Sequence, residues 1–224
     1  MERMICLTIS DHKDADILKI LDSMSGEYRL RTVFTDWVEM CAIAISNACE
    51  PRIGIRNQRE QRFSELQKRY DVNRMAEAFS LLVNEMEDKQ RDILGDLYMK
   101  TDQGNKATGQ FFTPYHLSEV CAGLMQCKPD EDGIFRMHEP ACGSGGMMIA
   151  MAQKMKADGI DYQRYANAVC FDIDRNCVHM AYVQLSLIGL SAEVVVADTL
   201  SGEPVDSERI FVTPMWWERG WIHV

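Results

Sequence analysis

The period of the hydrophobic positions changes about halfway along the chain. Over residues 71–86, Val72, Met75, Ala76, Phe79, Leu82, Val83 and Met86 recur every three or four residues, which is the spacing of one helical face. A second helix is expected over 33–48, closed by Pro51 and Gly54. Residues 57–70 are charge-rich and read as a solvated helix or linker, its Arg and Lys residues forming a wet face. A polar break follows at 101–108, with Gly104 and Asn105 inside it. Beyond the break, short apolar runs alternate with helical patterns. Strands are expected over 135–139, 168–172, 193–198 and 209–213, and helices over 114–125, 146–157 and 175–188. This alternation predicts an α/β fold in which helices cover a parallel sheet. The chain therefore divides into a helical amino-terminal region, 1–106, and an α/β domain, 107–224.

In such sheets a ligand lies beyond the carboxyl ends of the strands, so the residues there carry the chemical information. The first predicted strand runs into Glu139-Pro140-Ala141-Cys142-Gly143-Ser144-Gly145-Gly146, which opens a helix. Glycines allow a tight turn and close approach of a ligand to the backbone, and the helix amino end favours a carboxylate. The turn lacks the Gly-Lys-Ser/Thr of a phosphate loop and does not match G-x-G-x-x-G. The second strand ends at Asp172, where an acidic side chain accepts hydrogen bonds from ribose hydroxyls. Asp174 reads as the cap of the following helix. The third ends at Asp198, placed to accept from an adenine amino group. Taken singly, each is a cap or loop residue. Together, three successive strand ends of these types point to a nucleoside. Upstream, Gly109-Gln110-Phe111-Phe112-Thr113-Pro114 offers Thr113 as a helix cap and Pro114 at the first helical position.

Composition narrows the partners. With 46% hydrophobic residues in 224, the chain can bury a core. No apolar run reaches the length of a membrane span, and residues 1–16 have no signal-peptide layout, so a cytoplasmic protein is expected. The eight cysteines form no C-x-x-C pair and no zinc-like grouping with histidine; they are expected to be reduced, small apolar residues, with no metal site. The net charge of −10 argues against strong autonomous DNA binding, because phosphate contacts require a basic face.

The order Gly-Gln-Phe-Phe-Thr-Pro, Glu-Pro-Ala-Cys-Gly-Ser-Gly-Gly, Phe-Asp-Ile-Asp and Ala-Asp-Thr-Leu resembles the modification subunits of type I restriction systems and related adenine-N6 DNA methylases. The segment 92–98, Asp-Ile-Leu-Gly-Asp-Leu-Tyr, is similar to the helix preceding their cofactor site. The resemblance spans about residues 92–200. It implies a Rossmann-like, S-adenosylmethionine-dependent methyltransferase sheet. Phe112 and Thr113 would touch the methionine part of the cofactor and Glu139 would lie near its amino group. Ala141, Gly143 and Gly145 would form the floor, Asp172 would hold the ribose, Ile173 would pack on adenine, and Asp198 with Leu200 would meet the adenine edge and ring.

The family's catalytic tetrad, Asn/Asp-Pro-Pro-Tyr/Phe, is absent. In that tetrad a side chain and a proline carbonyl accept the two amino hydrogens of adenine, while the aromatic ring stacks on the flipped base. The nearest segment is Thr213-Pro214-Met215-Trp216, at the end of the fourth predicted strand. It makes Thr213, Pro214 and Trp216 the catalytic candidates. Replacing the amide by a hydroxyl is expected to cost on the order of a hundred- to a thousandfold in rate. The competing reading gives Trp216, Trp217 and Trp221 a packing role at the sheet edge. The sheet is expected to be truncated after about four strands, its edge covered by the amino-terminal helices, a second copy or a partner. Two functions follow: an adenine-N6 DNA methylase, or a cofactor-binding or regulatory subunit of a restriction-modification-like assembly without turnover of its own.

Overall fold

The computed structural model describes residues 14–101 and 112–219. The helical region comprises α1 (14–22), α2 (Leu30–Cys49), α3 (Ile53–Gln67), α4 (Val72–Asp88) and α5 (Ile93–Thr101). Asp71 caps α4, its carboxylate accepting from the backbone N–H groups of Asn73 and Arg74. The buried stripe Met75, Ala78, Leu82 and Met86 fixes the helix on the core. The predicted break at 101–108 falls, after Thr101, outside the described residues.

The α/β part runs α6 (Tyr115–Leu124), β1 (Phe135–Glu139), α7 (Gly146–Ala157), α8 (Tyr162–Tyr165), β2 (Ala166–Asp172), α9 (Arg175–Leu187), β3 (Ser191–Val196), β4 (Ile210–Val212) and α10 (Pro214–Arg219). The sheet order is β1-β2-β3-β4. β1, β2 and β3 are parallel, with Glu139 beside Cys170 and Asp172 beside Val196, so their carboxyl tips share one end of the sheet. One core runs from Ile17 through Trp37 and Leu97 to Tyr182, Val194 and Phe211, joining the helices to the sheet.

Two expectations are corrected. The first is the wholly parallel sheet: β4 is antiparallel to β3, pairing Glu193 with Val212 and Val195 with Ile210. A parallel return needs a long crossover, usually a helix. Residues 197–209 hold only turns and the 3-10 segment Ser207–Arg209, so the chain simply doubles back. The second is the wet face of residues 57–70, which holds for exposed Lys68 and Arg69 but not for Arg59. Arg59 on α3 is buried, donates 2.8 Å to the Ile210 carbonyl and stacks 4.0 Å over the Phe211 ring, while Arg62 makes a two-pronged pair with Glu39. The amino-terminal helices thus cover the β4 edge, one of the three occupants expected there. Among the described residues no helix is long and apolar enough to cross a membrane.

Candidate functional site

The glycine turn between β1 and α7 is pinned to the tip of β2 by two successive N–H groups. Cys142 N–H donates to the Phe171 carbonyl at 2.8 Å, and Gly143 N–H donates to Asp172 Oδ2 at 2.8 Å. The other Asp172 oxygen accepts from Asp174 N–H at 2.9 Å. Gly143 and Gly145 have φ of 53° and 93°, a region that side chains rarely enter. A Cβ on Gly143 would also press on the Phe112 ring at 3.0 Å. Phe112 in turn packs 5.3 Å from Tyr98, whose ring carries the Arg31 guanidinium at 4.5 Å. The helical region therefore builds one wall of the turn's surroundings.

Above this turn lies a cavity of about 330 Å³. Phe112, Thr113, Glu139, Ala141, Gly143 and Asp172, all expected at a cofactor, line it. Gly145 stands behind it, where a Cβ would meet Ala181 at 3.2 Å. Ile173 and Leu200 project from the tips of β2 and the turn after β3, 74% and 94% exposed, and with Asp198 lie outside the lining. Asp198 is exposed and accepts from Leu200 N–H at 2.9 Å. Asp174 caps α9 by accepting from Asn176 N–H at 2.8 Å. Thr113 does not cap α6: Pro114 holds the cap position and no side chain bonds there.

Sequence reasoning missed Asp92, Ser118, Cys142, Ser144, Gly146 and Met147 as lining residues. Asp92 caps α5 and reaches the cavity through tertiary packing; the resemblance marks its segment, 92–98, as the helix before the cofactor site but gives Asp92 no role at the ligand. Among the described residues, Glu139, Asp92 and Asp172 give the lining three carboxylates and no Lys, Arg or His. Such walls favour a cationic ligand. Burial pushes the Cys142 thiol far up, which leaves it a packing group, not a nucleophile.

Thr213, Pro214 and Trp216 are not brought to this cavity. Because β4 runs antiparallel, its carboxyl end meets the amino end of β3. There Thr213 Oγ1 accepts from Ala192 N–H at 2.9 Å and donates to the Leu190 carbonyl at 2.8 Å. Thr213 is fully buried, and Trp216 is buried with its ring 5.0 Å from that of Trp217. These residues close the far edge of the sheet. Strand direction thus places them apart from the residues that line the cavity.

Comparison with known proteins agrees with the motif order. The profile of the family described as N-6 DNA Methylase matches residues 89–215. The chain is 24% identical over 135 residues to the type I restriction enzyme MjaIX methylase subunit of Methanocaldococcus jannaschii, covering 58% of this chain and 23% of that protein. It is 24% identical over 124 residues to the type I restriction enzyme MpnII methylase subunit of Mycoplasma pneumoniae, covering 53% and 22%. The chain thus spans less than a quarter of the length of these relatives. Among solved structures, a class I S-adenosylmethionine-dependent methyltransferase of Listeria monocytogenes aligns with a TM-score of 0.49 at 15% identity, over 88% of this chain and 56% of that one. A type I restriction-modification methyltransferase subunit of Streptococcus thermophilus aligns at 0.42 and 13%, over 89% and 60%. The profile covers more than half of the sequence, and the chain belongs to the N-6 DNA methylase family.

Proposed function

We propose that this chain binds S-adenosylmethionine for methyl transfer to the adenine amino group in DNA, as the cofactor-holding part of a type I modification-like assembly. The observation that carries this reading is the carboxylate of Asp172 held by the Gly143 N–H at the rim of an acidic cavity. S-adenosylmethionine is the cofactor of the family, and it supplies an electrophilic methyl group on a cationic sulfonium. The residues present fit it. Asp172 keeps lone pairs for ribose hydroxyls, Gly143 and Gly145 let the ligand lie against backbone, and Phe112 with Met147 gives apolar contact. Ile173 and Leu200 offer exposed apolar surface at the same end of the sheet for the adenine ring.

The placement of Thr213 favours the second reading, binding without turnover by this chain alone. The acceptor groups for an adenine amino group would then come from a partner. The acidic net charge fits a chain whose grip on DNA depends on that partner. Calorimetry with S-adenosylmethionine, followed by transfer of labelled methyl groups to unmethylated DNA, tests both parts. Binding with no transfer supports the subunit reading. Transfer by the isolated chain supports autonomous catalysis, and absence of any cofactor binding defeats the whole proposal.

A further inference from the structure

Asp92 is a buried carboxylate, 4% exposed, that lines the cavity from the amino end of α5. Its Oδ1 accepts from Gly95 N–H at 3.0 Å and from Gln184 Nε2 at 2.8 Å, and its Oδ2 accepts from Ser144 Oγ at 2.5 Å. All three donors are neutral. Among the described residues no Lys or Arg forms an ion pair with it, although a buried negative charge is costly without a cation. Side chains are excluded around it: a Cβ on Gly95 would overlap the carboxylate, and one on Gly146 would lie 2.9 Å from Oδ2. The carboxylate thus sits on a cavity wall with no Lys or Arg paired to it among the described residues.

The glycine turn also orients that charge. Consecutive residues Gly143 and Ser144 bond to two different carboxylates, Asp172 from β2 and Asp92 from α5. Both carboxylates line the same cavity, so a single ligand there meets the two together. We infer that Asp92 is a cofactor-binding residue, accepting the α-ammonium of the methionine moiety together with Glu139 on the same lining. This rests on the cofactor reading above. It gives the helical region a direct part in ligand selection. It also predicts that ligands with an amino-acid tail are distinguished from those without one.

Two probes separate this role from a structural one: S-adenosylmethionine, and 5′-methylthioadenosine, which keeps adenine and ribose but has no ammonium. Asp92→Asn preserves an oxygen for Gly95 and Gln184, and its amide can donate to Ser144. Calorimetry should show the variant's affinity for S-adenosylmethionine falling on the order of 10- to 100-fold, the worth of one charge-assisted hydrogen bond. Affinity for 5′-methylthioadenosine should stay within about twofold of wild type. Equal losses for both ligands would assign Asp92 to loop support, and no loss for either would remove it from the site. Both results overturn the inference while leaving the cofactor reading intact. Wild-type protein that binds neither nucleoside would defeat that reading first. If the amide variant does not fold, Asp92→Ser carries the same comparison, with a hydroxyl left to accept from Gly95.

Discussion

The two ends of the sheet put similar sequence to opposite uses. At the tips of β1 and β2, polar residues just after a strand face a cavity, and Asp172 and Glu139 are held there by loop N–H groups. At the end of β4, Thr213 also follows a strand, yet it is fully buried and spends its hydroxyl on Ala192 and Leu190. Strand direction makes the difference. In a parallel sheet every carboxyl tip shares one rim, so strand-end residues gather. An antiparallel strand delivers its end to the other rim, where the same residue types serve packing.

If the far edge is purely structural, damage there should change stability and leave ligand affinity alone. The largest effect is expected for Arg59→Ala. It removes the donor to Ile210, the cation over Phe211 and the second, more distant cation on Glu50, whose carboxylate keeps Arg52 at 2.7 Å. Losing these buried charged contacts costs about 3 kcal/mol, measurable by denaturant unfolding. A loss under about 1 kcal/mol would mean that α3 does not secure β4.

At the cavity the pattern should invert. Asp172→Ala should weaken S-adenosylmethionine binding on the order of 100-fold, since it strips the loop's acceptor together with the ribose contacts. Asp174→Ala should cost only a helix cap, about 1 kcal/mol of stability, with affinity little changed. Equal effects on affinity would contradict the division of labour between these two neighbours.

Thr213→Val sharpens the contrast because it keeps the shape and deletes the hydroxyl. The Ala192 N–H and Leu190 carbonyl lose a buried partner, a cost of about 1–3 kcal/mol in unfolding free energy. Cofactor affinity should not move. Intact stability with lost methyl transfer would return Thr213 to the chemistry.

Most of the first rim was legible because its signals are local. A helix-period stripe located α4, alternation located β1 and α7, and the glycine run between them required a turn. The cavity residues Phe112, Glu139, Gly143 and Asp172 all lie in such local motifs. Asp92 lies in the marked segment 92–98, but its place on the cavity was hidden because it meets Ser144 across 52 positions, and Gln184 across 92, through packing alone. The direction of β4 was hidden for a related reason. Three apolar residues, Ile210–Val212, identify a strand but not the side from which the chain returns, and only the lack of a helix in 197–209 bears on that. Arg59 looked solvated because a charge-rich helix usually is, and its carbonyl partner lies 151 residues on.

The smallest predicted effect lies behind the same edge and uses pH. His179 on α9 is buried with its ring 5.0 Å from Phe211, and among the described residues its Nδ1 has no hydrogen-bond partner. Burial, then the charges of Arg175 and Arg59, push its pKa down to about 3, with Asp174 opposing them and Arg62 adding to them. The unfolded chain takes up the proton near pH 6.5 while the folded chain refuses it until about pH 3. Stability contributed by this residue is therefore complete above pH 6.5 and falls with acidification, by about 1.4 kcal/mol for each pH unit well inside that window. Between pH 7 and 6 the wild type should lose about 0.7 kcal/mol from this group. His179→Phe, which keeps an aromatic ring against Phe211 and cannot titrate, should lose correspondingly less. The difference between the two proteins, followed by urea unfolding across that range, isolates His179 from carboxylates that titrate lower. Parallel curves would show that the imidazole is protonated in the folded protein and that the β4 edge is more open to water than its packing indicates.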